Sequence, residues 1–328
     1  LPCCSGVTLV CNRSNDTQKL TIWVSGCCTG FSIPVLIALI IQRGSATLPA
    51  NMKKSILITG CSSGIGLDAA KTLHADGWQV LATCRQAKDC DALKEQGLES
   101  FVIDYADSES VCKGAAEALE RTGGTLDALF NNGAYGIPGF TEDIPRDAMR
   151  HLFETNLFGP FELINKVLPA MRKQGHGHII NCSSVLGLVA MRYRGPYNAS
   201  KFAMEGLSDT LRHELHGSGI HVVLIEPGPI STKIRVNSQP HYEKWIDAEN
   251  SAHKEAYKEI VEPRLYAPVG GPPDRFELPS AAVTTKLKRA LDSDNPNPRY
   301  YVTTPTYLAG AFKRLFSTRV LDKIMLRS

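Results

Sequence analysis

The sequence predicts an α/β fold: a single doubly wound parallel sheet with helices on both faces. Two observations carry this. From residue 52 onward, short apolar runs alternate with helical stretches, an order that lays parallel strands side by side with right-handed crossovers. The polar and glycine-rich segments fall at the carboxyl ends of those runs, the edge at which open α/β sheets bind ligands. At 328 residues the chain has room for one large domain or two small ones. The net charge of +3 is too small to argue for a nucleic-acid partner.

Residues 55–59, Ser-Ile-Leu-Ile-Thr, read as a buried strand. Gly60-Cys61-Ser62-Ser63-Gly64-Ile65-Gly66 follows, then a helical stretch over 67–74. Glycines in a strand–turn–helix let backbone N–H groups approach a phosphate closely. The spacing departs from G-x-G-x-x-G, so context carries the reading. Further strands are predicted at 79–84, 100–103, 126–131, 178–182, 221–226 and 299–302. Helices are predicted at 87–95, 108–121, 146–171, 197–216 and 280–291. Pro169 should bend or end the fourth strand's long following helix. Ser280 is the expected N-cap of the last. The glycine turn, Asn131-Asn132, Ser183-Ser184 and Pro227-Gly228 all sit at strand ends and should meet in one crevice.

Residues 231–279 break the alternation with scattered prolines and charged helical pieces such as 248–261. A long insertion at the ligand edge predicts a lid, its charged helix a solvated face. In the tail, residues 305–328, Phe312, Leu315, Phe316, Val320 and Ile324 recur at helical spacing with Lys313, Arg314, Arg319 and Lys323 between them. This predicts a basic amphipathic helix. It packs on the body or on a partner subunit, or it makes peripheral contact with a membrane surface.

The first 51 residues differ from the rest. Five of ten cysteines fall there; the other five are scattered without metal-ligand spacing. That pattern predicts free thiols in a reducing, cytoplasmic setting and no metal. Residues 20–41 carry no charge and have the length of a bilayer span, yet contain Ser, Gly, Thr and Pro. Three readings stand: a signal anchor, a targeting or disordered leader, and non-native upstream sequence. The last is favoured, because the chain starts at Leu1 and Met52-Lys-Lys-Ser resembles a natural beginning.

Tyr197-Asn-Ala-Ser-Lys201 places a tyrosine and a lysine on one face of a helix. In most helices such a pair carries no chemistry. Here it follows a strand ending in Ser184. A nearby ammonium favours phenolate and makes the tyrosine a usable general acid/base. A serine hydroxyl beside it can hold a carbonyl oxygen as charge develops.

Together, Thr59-Gly-Cys-Ser-Ser-Gly-Ile-Gly66, Asn131-Asn132-Gly133, Asn156, Ser184, Tyr197-x-x-x-Lys201 and Pro227-Gly228 resemble the short-chain dehydrogenase/reductase family over residues 53–302. The resemblance implies a Rossmann-type domain over 52–304. It implies Tyr197 as acid/base, Lys201 as its partner and a ribose ligand, and Ser184 steadying the substrate oxygen, with Ser183 the weaker candidate. It implies Asn156 holding a water that links Lys201 to solvent. Gly60, Ser62, Ser63, Gly64, Ile65, Gly66, Asn132, Gly133, Pro227, Gly228, Ile230 and Thr232 are the implied cofactor contacts, Thr232 at the nicotinamide carboxamide. Asp104 and Tyr105 match the position beside adenine. The family usually reads Asn-Asn-Ala-Gly; this chain reads Asn131-Asn132-Gly133-Ala134, and a required positive φ would strain Ala134.

The second strand ends Ala82-Thr83-Cys84-Arg85, with no acid for a ribose 2′-OH and a cation able to bind a 2′-phosphate. NADP(H) is therefore expected over NAD(H). The resemblance is to the branch of retinol and 17β-hydroxysteroid dehydrogenases and bacterial relatives. It implies a hydrophobic alcohol or carbonyl substrate, of the steroid, retinoid or long-chain aldehyde class, and a homodimer or homotetramer built on helices 146–171 and 197–216. The alternatives are the same enzyme anchored to a membrane, and a dinucleotide-binding regulator without catalysis.

Overall fold

The computed structural model describes the backbone of residues 7–14 and 17–24, and residues 53–268, 272 and 274–326. Residues 1–52 and 53–328 are separate compact units. In the first, β1 (Val7–Ser14) and β2 (Thr17–Val24) form an antiparallel hairpin, Val7 opposite Val24. The uncharged stretch expected as an anchor thus begins inside a strand, rich in β-branched Thr21, Ile22 and Val24. Residues 25–41 lie outside the described residues. Among the described residues no helix is long and apolar enough to cross a membrane.

The second unit is a seven-stranded parallel sheet in the order β5-β4-β3-β6-β7-β8-β9. Its strands are β3 (Ser55–Ile58), β4 (Gln79–Cys84), β5 (Glu99–Val102), β6 (Ala128–Asn131), β7 (Gly177–Cys182), β8 (Ile220–Glu226) and β9 (Arg299–Tyr301). The chain runs outward from β3 to β5 and then returns to β3's other side. The switch point therefore lies between β3 and β6, where such sheets bind dinucleotides.

Alternate residues of each strand face opposite layers. Ile56, Ile58, Val80, Ala82, Phe130, Ile180 and Val223 pack against α1 (Gly64–Ala75) and the late helix α10 (Ala281–Leu291). Leu57, Leu81, Leu129, Ile179 and Val222 pack on the other face, against α3 (Ser108–Arg121) and α5 (Gly159–Gln174). Burial on both faces explains why the strands read as unbroken apolar runs. The remaining crossovers are α2 (Ala87–Lys94), α4 (Arg146–Phe153) and α6 (Gly195–Glu214).

The helix expected over 146–171 is broken elsewhere than at Pro169. A π turn, Glu154–Phe158, separates α4 from α5, and α5 runs through Pro169 to Gly175 at φ 80. Pro160 has no N–H to give the carbonyl four residues back, that of Asn156, so the ladder widens there.

The lid comprises α7 (Ile234–Trp245), α8 (Lys254–Ala256), a π turn at Tyr257–Val261 and α9 (Glu262–Leu265). Helix thus starts at Lys254 rather than at 248, and it is not a solvated face. Tyr257, Val261 and Leu265 are buried with Tyr135, Ile137, Leu152 and Tyr242 in a third cluster. The lid's base is clamped: Ser231 N–H donates to the Leu278 carbonyl at 2.9 Å, and Leu278 N–H to Pro229 at 3.2 Å.

Ser280 does not cap α10. It already has helical dihedrals, and its hydroxyl donates to the Ser231 carbonyl at 3.3 Å instead. The tail is two helices rather than one, α11 (Thr304–Leu315) and α12 (Thr318–Met325), because Phe316 is extended at φ −107, ψ 148.

Candidate active site

The glycine turn leaves β3 and packs on the end of β6. Gly60 has φ +69, and a Cβ there would meet Gly133 Cα at 2.8 Å. A Cβ on Gly66 would lie 2.3 Å from the Gly60 carbonyl oxygen. No side chain caps the N-terminus of α1, Ser63 included, so its first backbone N–H groups are left for another acceptor. A tight backbone cradle ending in free N–H groups fits a pyrophosphate. Gly64 stands opposite Thr232, within 3.2 Å of a built Cβ, so Thr232 faces the turn across the crevice.

A hydrogen-bond chain ties the strand ends together. Thr59 Oγ1 accepts from the N–H groups of Asn132, at 3.0 Å, and Gly133, at 3.2 Å. Asn132 Nδ2 donates to the Thr59 carbonyl at 3.0 Å. Thr59 Oγ1 also lies 2.8 Å from the Tyr105 hydroxyl, which donates to Asn131 Oδ1 at 2.6 Å. Asn131 donates to Asn181, and Asn181 to Ser208, each at 2.9 Å. The Tyr105 side chain is therefore an internal strut, buried against Gly133 and Gly159. Asp104 stays half-buried at the edge, its carboxylate accepting from Ala106 N–H at 3.0 Å. Ala134 does not have a positive φ, so the Gly133-Ala134 order brings no backbone strain.

Arg85 follows β4, exposed, and no described residue hydrogen-bonds or ion-pairs with its guanidinium. A cation at this strand end fits a 2′-phosphate. Pro227 and Gly228 close the far side. The Pro227 carbonyl accepts from Val185 N–H at 2.7 Å, and a Cβ on Gly228 would strike Thr303 Oγ1 at 2.1 Å. Ile230 pairs with Leu278 at the lid's base.

On the substrate side, α6 carries Tyr197 and Lys201, one turn apart. Ser184 lies beside the Tyr197 hydroxyl and favours its ionised form, as does the Arg194 guanidinium. Ser183 points elsewhere, its buried hydroxyl unpartnered near Gly187. Lys201 is buried, donates to the Cys182 carbonyl at 2.8 Å and stands 5.5 Å from the centre of the Tyr197 ring. Burial pushes the Tyr197 phenol above its ordinary value, and Ser184 and Arg194 supply the opposing pull. Burial lowers Lys201 as well, against the pull of Cys182 and Glu205.

Asn156, in the π turn, is buried and fully engaged. Its amide exchanges bonds with the Tyr135 backbone at 3.1 and 2.9 Å and donates to Ser200 Oγ at 3.2 Å. Ser200 in turn donates to the Tyr197 carbonyl at 2.9 Å. The side chain thus braces α6.

Two further features escape sequence reasoning. Tyr135 places its hydroxyl 2.5 Å from His151 Nδ1, and His241 of the lid stacks on its ring at 3.7 Å. Burial, then His151 and Arg85, pull His241 down to about 4. Tyr193 holds φ 62, a left-handed placement that costs a non-glycine residue about 1–3 kcal/mol. Neither a stacked pair nor a strained dihedral leaves a spacing in the chain. A separate surface recess of about 370 Å³, bordered by Glu142, Trp245 and Ser251, includes none of the predicted site residues.

Residues 54–243 match the short chain dehydrogenase family. The chain is 40% identical to the uncharacterized oxidoreductase YbbO of Escherichia coli (strain K12) over 274 residues, covering 84% of this chain and 94% of that protein. It is 38% identical to Homo sapiens retinol dehydrogenase 8 over 190 residues, covering 55% and 60%. A Burkholderia phymatum short chain dehydrogenase/reductase solved with NAD superposes with a TM-score of 0.66 at 26% identity, covering 84% of this chain and 96% of that one. With the switch-point crevice and the glycine cradle already described, these likenesses place the chain in the short-chain dehydrogenase family of oxidoreductases.

Proposed function

We propose that this chain is an NADP(H)-dependent oxidoreductase interconverting a hydrophobic alcohol and its aldehyde or ketone, of the steroid, retinoid or long-chain aldehyde class. The observation that carries the reading is Ser184 and Lys201 converging on Tyr197 at the edge of the switch-point crevice. Bound NADP(H) supplies the hydride in reduction and takes it back in oxidation. The glycine cradle and α1 hold its phosphates, and Arg85 holds the 2′-phosphate. Ser184 donates to the substrate oxygen as negative charge builds there. Tyr197, kept as phenol by burial, gives that oxygen its proton. Lys201, fixed by the Cys182 carbonyl, holds its ammonium over the tyrosine ring and would bond the ribose of a bound cofactor. Asn156 braces α6, and so the tyrosine, through Ser200.

Buried catalytic groups in consistent positions favour an enzyme over an inactive nucleotide-binding regulator. The test is a panel of steroid, retinoid and long-chain carbonyls and alcohols assayed with NADPH and with NADH. Turnover with NADPH at several-fold higher kcat/KM supports the reading; equal use of NADH removes the cofactor assignment, and no turnover removes the enzyme.

Exposed Phe158, Phe161, Phe202 and Leu207 belong to the α5 and α6 region and support a homodimer through those helices. The tail favours peripheral membrane contact. Leu315, Phe316, Val320 and Leu326 are exposed among Lys313, Arg314, Arg319 and Lys323. Flotation with anionic vesicles checks this, and protein left wholly at the bottom of the gradient refutes it.

A further inference from the structure

Arg194 stands three residues before Tyr197, where α6 begins. It is half-buried, yet no described residue hydrogen-bonds or ion-pairs with its guanidinium. A cation there also opposes the positive end of the helix dipole. Its surroundings add more positive charge. Arg264 and Arg235 stand close enough to disfavour its charged form, and burial pulls it down to about 10. The anion given to those two is Asp274, shared at 3.4 Å from Arg264 and 4.0 Å from Arg235. Two of the three guanidiniums thus share one carboxylate, and Arg194 is left without one among the described residues. Tyr193, strained at φ 62 and held by Gly139 N–H donating to its carbonyl at 3.1 Å, sets the direction from which Arg194 enters. Arg194, Arg264, Ile260, Val261 and Met325 border a cavity of about 120 Å³ between the tyrosine's loop, the lid and α12. A half-buried cation without a partner, facing like charges and positioned through a strained residue, is an arrangement that an anion would complete.

We propose that Arg194 and Arg264, with Arg235 joined to Arg264 through Asp274, form an anion subsite near the acid/base tyrosine, and that the carbonyl substrate carries a carboxylate or phosphate group. The inference rests on the functional reading above and narrows its substrate class. The apolar lid residues take the carbon chain; the guanidiniums take the anionic end bidentately.

The test uses the full chain with NADPH. Aldehydes bearing a terminal carboxylate, over a series of chain lengths, are compared with their methyl esters, and glyceraldehyde 3-phosphate with glyceraldehyde. A charged hydrogen-bond pair is expected to give the preferred anion a KM about 10–100-fold below its neutral partner's. Arg194→Ala should collapse that ratio, and Arg194→Lys should restore part of it. The ratio is the readout because any effect of Arg194 on Tyr197 is common to both members of a pair and cancels. The carboxylate and phosphate arms show which anion is taken. Equal KM within every pair, or a ratio that survives Arg194→Ala, overturns the subsite while leaving the enzyme reading intact. If no aldehyde is turned over, the enzyme reading fails, and calorimetric titration with hexanoate against hexanol decides the subsite. Heat from hexanoate alone, lost in Arg194→Ala, supports it; absence of heat overturns it.

Discussion

The cofactor wall of the crevice, from Ser55 to Gly133, is held by backbone. Its glycines allow approaches of 2.8 and 2.3 Å that no Cβ would permit, and Thr59, Tyr105, Asn131 and Asn132 spend their polar atoms on one another. The substrate wall, formed by the loop before α6 and the lid, is held by side chains. Aromatic rings stack there on histidines, Tyr193 is strained, and Arg194 has no partner among the described residues. The strand-end polar groups of the first wall pair with one another before anything binds, while the end of α1 and Arg85 stay open. The second keeps unspent charge. A wall that grips a constant molecule can be built of backbone, whereas one that selects among substrates needs side chains that can change.

Tyr197 belongs to neither wall and serves both, so its loss has the largest expected effect. Tyr197→Phe keeps the ring against Gly136 and removes only the proton, and should lower kcat/KM by about 10²–10⁴-fold. NADPH affinity, measured by fluorescence titration, should hardly move, because the cofactor wall is untouched. The pH profile follows from the direction of the shift. Burial raises the phenol above its usual value of about 10. Reduction uses the phenol, so its rate should stay level from neutral pH to beyond about 9. Oxidation uses the phenolate, so its rate should rise about tenfold per pH unit over the same range. A reduction rate that falls between pH 7 and 8 would mean a tyrosine pKa near neutrality.

The contrast between the walls also accounts for what the sequence could tell. Gly60, Gly64 and Gly66 were legible because a backbone requirement is written as a residue type. Ser184, Tyr197 and Lys201 were legible because their spacing on a strand end and a helix is local. The sequence points to Pro169 for the break in the long helix, although Pro160 is the proline whose missing N–H faces the Asn156 carbonyl. Both prolines break the same rule, and only the tertiary bracing of Asn156 by Tyr135 and Ser200 tells them apart. The lid helix reads as solvated in the sequence because charged residues dominate its run. Tyr257, Val261 and Leu265 are too sparse a stripe to show without the cluster that they join. Arg194, Arg264 and Arg235 come together across seventy residues of chain, a separation at which no period operates.

Arg85 is an exposed cation at the end of β4 with no partner among the described residues, and it tests whether the cofactor wall is as complete as it looks. Arg85→Asp should raise KM for NADPH by about 10–100-fold, the worth of a charged hydrogen-bond pair, and improve use of NADH. Initial rates with each coenzyme at a fixed aldehyde read the switch. An unchanged NADPH/NADH ratio would leave selection to another part of the crevice and blur the division between the walls.

The smallest effect probes the same wall at Ala134, where the family's usual glycine is displaced by one position. If the loop needed a left-handed residue there, Ala134→Gly would stabilise the protein. Its φ is not positive, so glycine relieves nothing and only loosens the unfolded chain. The expected outcome is a loss of about 0.4–1 kcal/mol by urea denaturation, with NADPH affinity unchanged. The constraint in this loop sits one residue earlier. Gly133 lies under a built Gly60 Cβ at 2.8 Å, and a Cβ of its own would meet the Tyr105 ring at 3.1 Å. Gly133→Ala should therefore cost more than Ala134→Gly, and should weaken NADPH binding as the cradle opens. The reverse order of the two would place the tight contact at 134 and return this chain to the family's usual loop.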